Sequence, residues 1–215
     1  GRDTRESGRH LERALGTGLA LGAAQPLSLG VVPTPTVAWV CAQRGVPGAV
    51  ISASHNSWSD NGIKFFAVGG RKLSDELEAE LENALDALVA ANVEFDLAVD
   101  FKTDAGAVAE WCDAVASSVV AVAPMRVVID CANGAASSVA PGIFRSLGLE
   151  VEVLHAQPDG RNINDACGST HPEDLQRAVV ASGAALGLAF DGDADRLLAV
   201  DERGELVDGD QLIAL

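Results

Sequence analysis

The chain has 215 residues, 48% of them apolar, and a formal net charge of −16. That length admits one large domain or two ordinary ones, and the apolar content suits a packed core rather than disorder. So acidic a surface repels nucleic acid and anionic membranes, which excludes both as partners; an anionic substrate would need local positive charge or a metal.

Apolar residues at Leu11, Ala14, Leu15 and Leu19 give residues 10–24 a helical period. Pro26 ends that helix, and residues 27–32 read as a short buried strand. Pro33-Thr34-Pro35-Thr36 is a turn, from which Thr36 can cap a helix reaching Arg44. Residues 48–53 form the next strand and deliver a serine-rich loop. Residues 63–68 form another, stopped by Gly69-Gly70. Ser74 then caps a helix whose Leu73, Leu77, Leu81, Leu85 and Leu88 make one apolar stripe. Asp75 and Glu76 in its first turn suit the helix dipole, and its glutamates form a solvated face.

Periodicity is lost over residues 91–104, which divides the chain into domains at 1–103 and 104–215. The second domain reads as a helix over 104–120, a strand over 126–130, a helix over 138–147 and a strand over 150–154. A polar loop runs to His171, followed by a helix over 172–182 and a strand over 185–190. Residues 197–201 and 205–207 flank Glu202-Arg203-Gly204, a hairpin signal. Strands alternating with helices predict α/β architecture: two consecutive three-layer α/β domains with mixed, largely parallel sheets. Ligand loops in such sheets sit at the carboxyl ends of strands, and two loops there carry chemistry.

In Asp191-Gly192-Asp193-Ala194-Asp195-Arg196, three carboxylates alternate with small residues. The spacing lets them converge on one hard cation, and oxygen ligands with positions left open suit Mg²⁺. The competing EF-hand calcium reading has Glu202 at its twelfth position. It fails at Arg196, which takes the glycine position, and at flanks that read as strands. Arg196 either grips a phosphate at two points or pairs with Asp191 or Asp195.

The other loop, residues 51–66, offers Ser52, Ser54, Ser57 and Ser59 beside His55 and Lys64. Alternation puts Ser52 and Ser54 on one face, so periodicity does not choose between them. A serine hydroxyl is a weak nucleophile until a base or metal eases loss of its proton, which the three aspartates and their cation would do. His55 either contacts a phosphate or hydrogen-bonds the loop. Lys64 either moves a proton or sits at the surface, and Asp60, Asn61 and Gly62 fix the turn.

The stretch from Ile51 through Ser54-His55-Asn56 to Asn61-Gly62-Ile63-Lys64 resembles the active-site serine loop of the α-D-phosphohexomutases. Residues 191–196 resemble the same family's magnesium loop, in the family's order and about its spacing. Residues 1–8 resemble its Asp-Thr-Arg-x-Ser-Gly segment. Residues 160–171, 128–135 and the Ile63-Lys64-Phe65-Phe66 ending are similar to the bacterial phosphoglucosamine mutase group, and the resemblance covers essentially the whole chain.

The resemblance implies that Ser54, directly before His-Asn, is the phosphorylated residue. It makes Ser54, Lys64 and His55 catalytic, and assigns Arg5 and Arg196 to phosphate. One Mg²⁺ would be held by Ser54, Asp191, Asp193 and Asp195. The implied reaction interconverts glucosamine 6-phosphate and glucosamine 1-phosphate, with glucosamine 1,6-bisphosphate as intermediate and activator, for amino-sugar nucleotide and cell-wall synthesis. The alternatives are a phosphomannomutase or phosphoglucomutase, and a non-catalytic divalent-cation-binding module.

Three positions depart from the family pattern: Ser57 stands where proline is common, Ser59 replaces a larger or more rigid residue, and Ala194 replaces a frequent glycine. The family has four domains, and the chain matches most of the first and much of the second. It opens without methionine and stops at what reads as a starting helix, so a fragment of a longer protein, a poor mutase by itself, is expected. The expected partner is a phosphosugar; a homodimer is left open by the sequence.

Cys41, Cys112, Cys131 and Cys167 lie far apart with no Cys-x-x-Cys pair, which argues against zinc and fits thiols in a reducing compartment. No 18-residue apolar run occurs, and the charged N-terminus is unlike a signal peptide. A cytoplasmic location is expected.

Overall fold

The computed structural model describes residues 1–92 and 102–214. Most of the stretch expected to connect two domains, residues 91–104, lies outside the described residues. In the first half, α1 (Gly8–Leu21) and α2 (Thr34–Arg44) accompany a two-stranded antiparallel sheet of β1 (Gly48–Ile51) and β2 (Ile63–Phe66). Val32, Val37, Val40, Cys41, Val50 and Phe66 form its core. Residues 27–32, predicted as a strand, make only isolated parallel bridges, Arg2 with Val31 and Ser28 with Thr103. Extended backbone is present, but the chain beside it is paired at Arg2 alone before it turns into Asp3-Thr4-Arg5 to meet the serine loop, so no ladder develops.

The predicted cap at Thr36 is corrected. Helix α2 starts at Thr34 with Pro33 as N-cap and Pro35 in the first turn, where a missing N–H is harmless. Thr36 lies buried inside the helix, its hydroxyl without a partner among the described residues. The helix ends at Gly45, φ 62°, a left-handed cap that glycine adopts freely. Helix α3 (Asp75–Ala90) is capped by Ser74 as expected. Its leucine stripe, however, stays exposed at Leu77, Leu81, Leu85 and Leu88, and none of its residues is buried.

The second half holds a five-stranded mixed sheet in the order β4-β3-β5-β6-β7. Strands β3 (Arg126–Asp130), β4 (Glu150–Leu154) and β5 (Leu186–Phe190) are parallel. Strands β6 (Leu197–Asp201) and β7 (Leu206–Val207) run antiparallel beside them. Val127, Val128 and Ile129 are all buried because β3 is covered on both faces, hence its continuous apolar run. On one side Val128 and Val200 meet Leu175 and Val179 of α6 (Glu173–Ser182). On the other, Val127 and Ile129 meet Ala140 and Phe144 of α5 (Ala140–Ser146), giving three layers.

Helix α4 (Ala105–Ser118), capped by Asp104, carries Trp111 and Val108 into a cluster with Trp39 of α2 and Ile143 of α5. It thus ties the two halves together. The predicted hairpin closes through Asp201, whose carboxylate accepts from the N–H groups of Arg203 (2.9 Å) and Glu205 (2.8 Å). Asp208 and Gln211 form the capping box of α7 (Gly209–Ile213). No helix among the described residues is long and apolar enough to cross a membrane.

All four cysteines are free thiols, and Cys41, Cys131 and Cys167 are buried. Burial, with the Asp130 charge adding to it, pushes Cys131 and Cys167 up to about 12. The thiolate is the reactive form, so at pH 8 only about one part in 10⁴ of each is competent. Iodoacetamide at pH 8 is therefore expected to label Cys112 in the native protein and the other three only after unfolding. Rapid native labelling of Cys167 would contradict this packing.

Candidate active site

The serine loop joins β1 to β2, and Ser54 sits in it with φ 50°, in the left-handed region. That conformation costs a non-glycine residue about 1 kcal/mol or more, so the surroundings must hold it. Ser52, just after β1, is held in a fixed position: its Oγ donates to Asp3 (2.6 Å) and accepts from the Ser54 N–H (2.9 Å). Arg5, paired with the Asp3 carboxylate, is 1% exposed. Its Nε donates to the Ser57 carbonyl (3.3 Å), Nη1 to Asp3 and Ser52, and Nη2 to the carbonyls of Ser54 (3.1 Å) and Asn56 (2.7 Å). A guanidinium has five N–H groups, and these bonds use them all. Arg5, expected to face a phosphate, is placed under the loop with no free donor.

The aspartate loop of residues 191–196, the candidate metal loop, joins β5 to β6. Strands flank it, not helices, so the EF-hand reading does not apply. Asp191 Oδ1 accepts from the Arg196 N–H (3.1 Å), and Ala194, with φ 54°, turns the chain. Asp191 and Asp193 are buried. Asp191, Asp193 and Asp195 each offer an oxygen, all within 4.8 Å of one another. Burial pushes the Asp191 carboxyl above the usual range. The hydrogen bond from Ser54 opposes that shift, and the Asp193 and Asp195 charges add to it.

The two loops meet. Ser54 Oγ donates to Asp191 Oδ2 at 2.5 Å. Lys64 on β2 points its Nζ at the same cluster, 3.2 Å from Asp195 Oδ2 and 3.7 Å from Asp193 Oδ2. A methyl group on Gly192 would lie 2.5 Å from the Ser54 carbonyl oxygen, and one on Gly134 would lie 2.4 Å from the Gly192 oxygen. Backbone touches backbone here, so only glycine fits.

Thr34 donates from Oγ1 to Asp193 Oδ2 (2.6 Å) and from its N–H to the Asp193 carbonyl (2.9 Å). The other oxygen, Asp193 Oδ1, is buried with no hydrogen-bond partner among the described residues. A buried anionic oxygen left unpaired is costly unless a cation meets it. Three converging carboxylates with one such oxygen fit a hard divalent cation, with Ser54 Oγ as neighbour.

The remaining predicted residues lie around this centre. The Arg196 side chain is more than half exposed, its Nε 3.9 Å from Asp195 Oδ1, within reach of both the carboxylates and solvent. His55 is exposed, makes no hydrogen bond or ion pair among the described residues, and so does not brace the loop that way. It lines a cleft of about 510 Å³ with Trp58, Arg161, Thr170 and His171. Arg161 stacks on Trp58 (5.0 Å to the ring centre) and pairs with Glu6 (2.8 Å). At the departures from the family pattern, Ser57 and Ser59 hydrogen-bond each other at 2.7 Å on the exposed side of the loop.

Sequence reasoning missed Thr34, read only as a turn residue, and Asn164, whose side-chain amide donates to the Ser54 and Asn56 carbonyls (2.9 and 3.0 Å). Nothing local signals either role. A second polar group, Asp130, His155 and Cys167, lies apart from this centre. Asp130 there accepts from the Ala132 and Gly168 N–H groups and sits 2.9 Å from His155 Nδ1, which pins the loops after β3 and β4.

Residues 1–91 match the family model for phosphoglucomutase/phosphomannomutase alpha/beta/alpha domain I, and residues 105–204 match that for domain II. The phosphoglucosamine mutase of Moorella thermoacetica is 52% identical over all of this chain and 49% of its own length. That of Ectopseudomonas mendocina is 49% identical over 99% of this chain and 48% of its own length. The chain thus spans about half the length of the curated relatives it matches. Among solved structures, a phosphoglucomutase/phosphomannomutase family protein from Burkholderia thailandensis superposes with a TM-score of 0.78 at 27% identity. It covers 96% of this chain and 46% of that one. An Aspergillus fumigatus N-acetylphosphoglucosamine mutase, solved with GlcNAc-6P and magnesium, shares the fold at a TM-score of 0.54 and 20% identity, over 93% of this chain and 56% of its own. The chain belongs to the phosphoglucomutase/phosphomannomutase family, the α-D-phosphohexomutases.

Proposed function

We propose that this chain supplies the phosphoserine and metal-binding part of a phosphoglucosamine mutase, with residues 1–103 and 104–215 as its two domains and the cytoplasm as its location. One observation carries the reading: a strained, loop-borne serine hydroxyl hydrogen-bonded to one of three clustered carboxylates, with a lysine on the same cluster. The identity to curated phosphoglucosamine mutases supports the choice of sugar.

Phosphorylated Ser54 donates its phosphoryl group to the C1 hydroxyl oxygen of glucosamine 6-phosphate. The P–Oγ bond breaks as the new P–O bond forms, and the sugar's proton passes to Ser54 Oγ. The resulting 1,6-bisphosphate turns over in the site, its other phosphoryl group returns to Ser54, and glucosamine 1-phosphate leaves. Lys64, whose Nζ lies 3.2 Å from Asp195 Oδ2, contacts the attacking hydroxyl and guides its proton. Arg196, exposed beside the cluster, grips phosphate oxygens. His55, facing the cleft, contacts the sugar phosphate, and Arg5 holds the serine loop in shape. Asp191, Asp193, Asp195 and the Ser54 oxygen would hold Mg²⁺, which when bound neutralises charge on the phosphoryl group in flight.

Peptide mass spectrometry on the full-length protein, purified with Mg²⁺, tests this. Phosphate is expected on the peptide carrying Ser54, and kcat/KM is expected to be higher for glucosamine phosphate than for glucose or mannose phosphates. No phosphate there, even after incubation with a hexose 1,6-bisphosphate, would favour a cation-binding module instead.

A further inference from the structure

We propose that Asn164 is a positioning residue for phosphoryl transfer, a clamp that sets Ser54 against the carboxylates; the proposal rests on the reading of Ser54 as phosphoryl carrier. Asn164 is buried and has φ 57°, a conformation asparagine tolerates better than most residues. Its Nδ2 reaches the carbonyl oxygens of Ser54 and Asn56, the residues on either side of His55. Arg5 Nη2 donates to the same two oxygens. Each carbonyl therefore has two donors, one from either half of the chain, and a carbonyl oxygen has two lone pairs to offer.

The clamp is itself anchored. The Asn164 N–H donates to the Ala132 carbonyl at 2.9 Å, and the preceding Ile163 is 1% exposed. A methyl group on Gly192 would lie 2.9 Å from Asn164 Nδ2, so the amide packs against the metal loop while it holds the serine loop. One side chain thus fixes the separation of the loops that carry Ser54 and Asp191. A neutral amide does this without adding a cation that would compete for the carboxylates.

Two variants of the full-length protein test it. Asn164→Gly keeps the left-handed backbone free of strain and removes both donors. Asn164→Asp keeps the size and sets a carboxylate against two carbonyl oxygens. Single-turnover transfer from glucosamine 1,6-bisphosphate to Ser54, steady-state kcat and KM, and Tm are measured for both.

Transfer rate and kcat are expected to fall about 10- to 100-fold, the scale of a small misplacement of reacting groups. KM is expected to stay within about threefold, because uniform binding is untouched. Wild-type rates in folded Asn164→Gly would overturn the clamp and leave the phosphoserine reading intact. So would a loss in both variants that tracks a collapse of Tm, which would assign Asn164 to the fold alone. Wild-type protein that never carries phosphate on Ser54 would sink the underlying reading, and the clamp with it.

Discussion

Ser54→Ala in the full-length protein is expected to lower mutase turnover by about four orders of magnitude or more, the scale of losing a covalent nucleophile. It is also expected to abolish phosphate incorporation from a hexose 1,6-bisphosphate. No other hydroxyl in the loop can substitute. Ser52 is tied to Asp3 and to the Ser54 N–H, while Ser57 and Ser59 are bonded to each other on the exposed outer arc. The fold should survive, because the variant removes a single hydrogen bond to a carboxylate, worth about 1.5–3 kcal/mol. A coupled assay returning more than a few per cent of wild-type activity would move the chemistry to another residue.

Asp193→Asn separates stability from activity. The amide oxygen at position 193 can still accept from Thr34 Oγ1, so the joint between α2 and the metal loop remains. Its NH₂ group then takes the place of the unpartnered Oδ1, and an NH₂ group is no ligand for a hard cation. Activity at saturating Mg²⁺ is expected to fall about 10³-fold, since metal neutralisation of a phosphoryl group is worth several kcal/mol.

In the metal-free state the sign reverses. Wild type crowds three carboxylates together with Lys64 close by, and Asp193 is buried. Removing one negative charge relieves both repulsion and desolvation. Metal-free Asp193→Asn is therefore expected to melt about 2 °C or more above metal-free wild type. Added Mg²⁺ should raise the wild-type Tm far more than that of the variant. Equal Mg²⁺ stabilisation of both would remove Asp193 from the ligand set.

What the sequence made legible was chemistry carried by consecutive residues. Asp191, Asp193 and Asp195 alternate in one loop, and Ser54, His55 and Lys64 lie within one hairpin, so local spacing and family resemblance were enough to single them out as candidates. Most helices and the second sheet followed from periodicity. Residues 27–32 had the apolar run of a strand, yet pairing depends on a neighbour, and Arg2 offers only isolated bridges. Thr34 and Thr36 are the same residue type two positions apart; only the approach of Asp193 decides which of them is used. Arg5 looked like a phosphate ligand by motif, but its guanidinium is consumed by Asp3, the Ser52 hydroxyl and three carbonyls of a loop some 50 residues away. Asn164 has no local signature, because its role lies in Ser54, 110 residues earlier.

Those separations govern how the centre comes into being. Strands β1 and β2 pair across a short loop, and β3, β4 and β5 lie within about 65 residues of chain. The bonds that assemble the centre instead join Ser54 to Asp191 over 137 residues, Lys64 to Asp195 over 131 and Thr34 to Asp193 over 159. Closing such long loops must await the rigid pieces that reward it, and distant contacts form late. The separate halves can thus take shape while their carboxylates and lysine remain solvated and apart. The Ser54–Asp191, Lys64–Asp195 and Thr34–Asp193 contacts are therefore expected to form last, when the two halves dock.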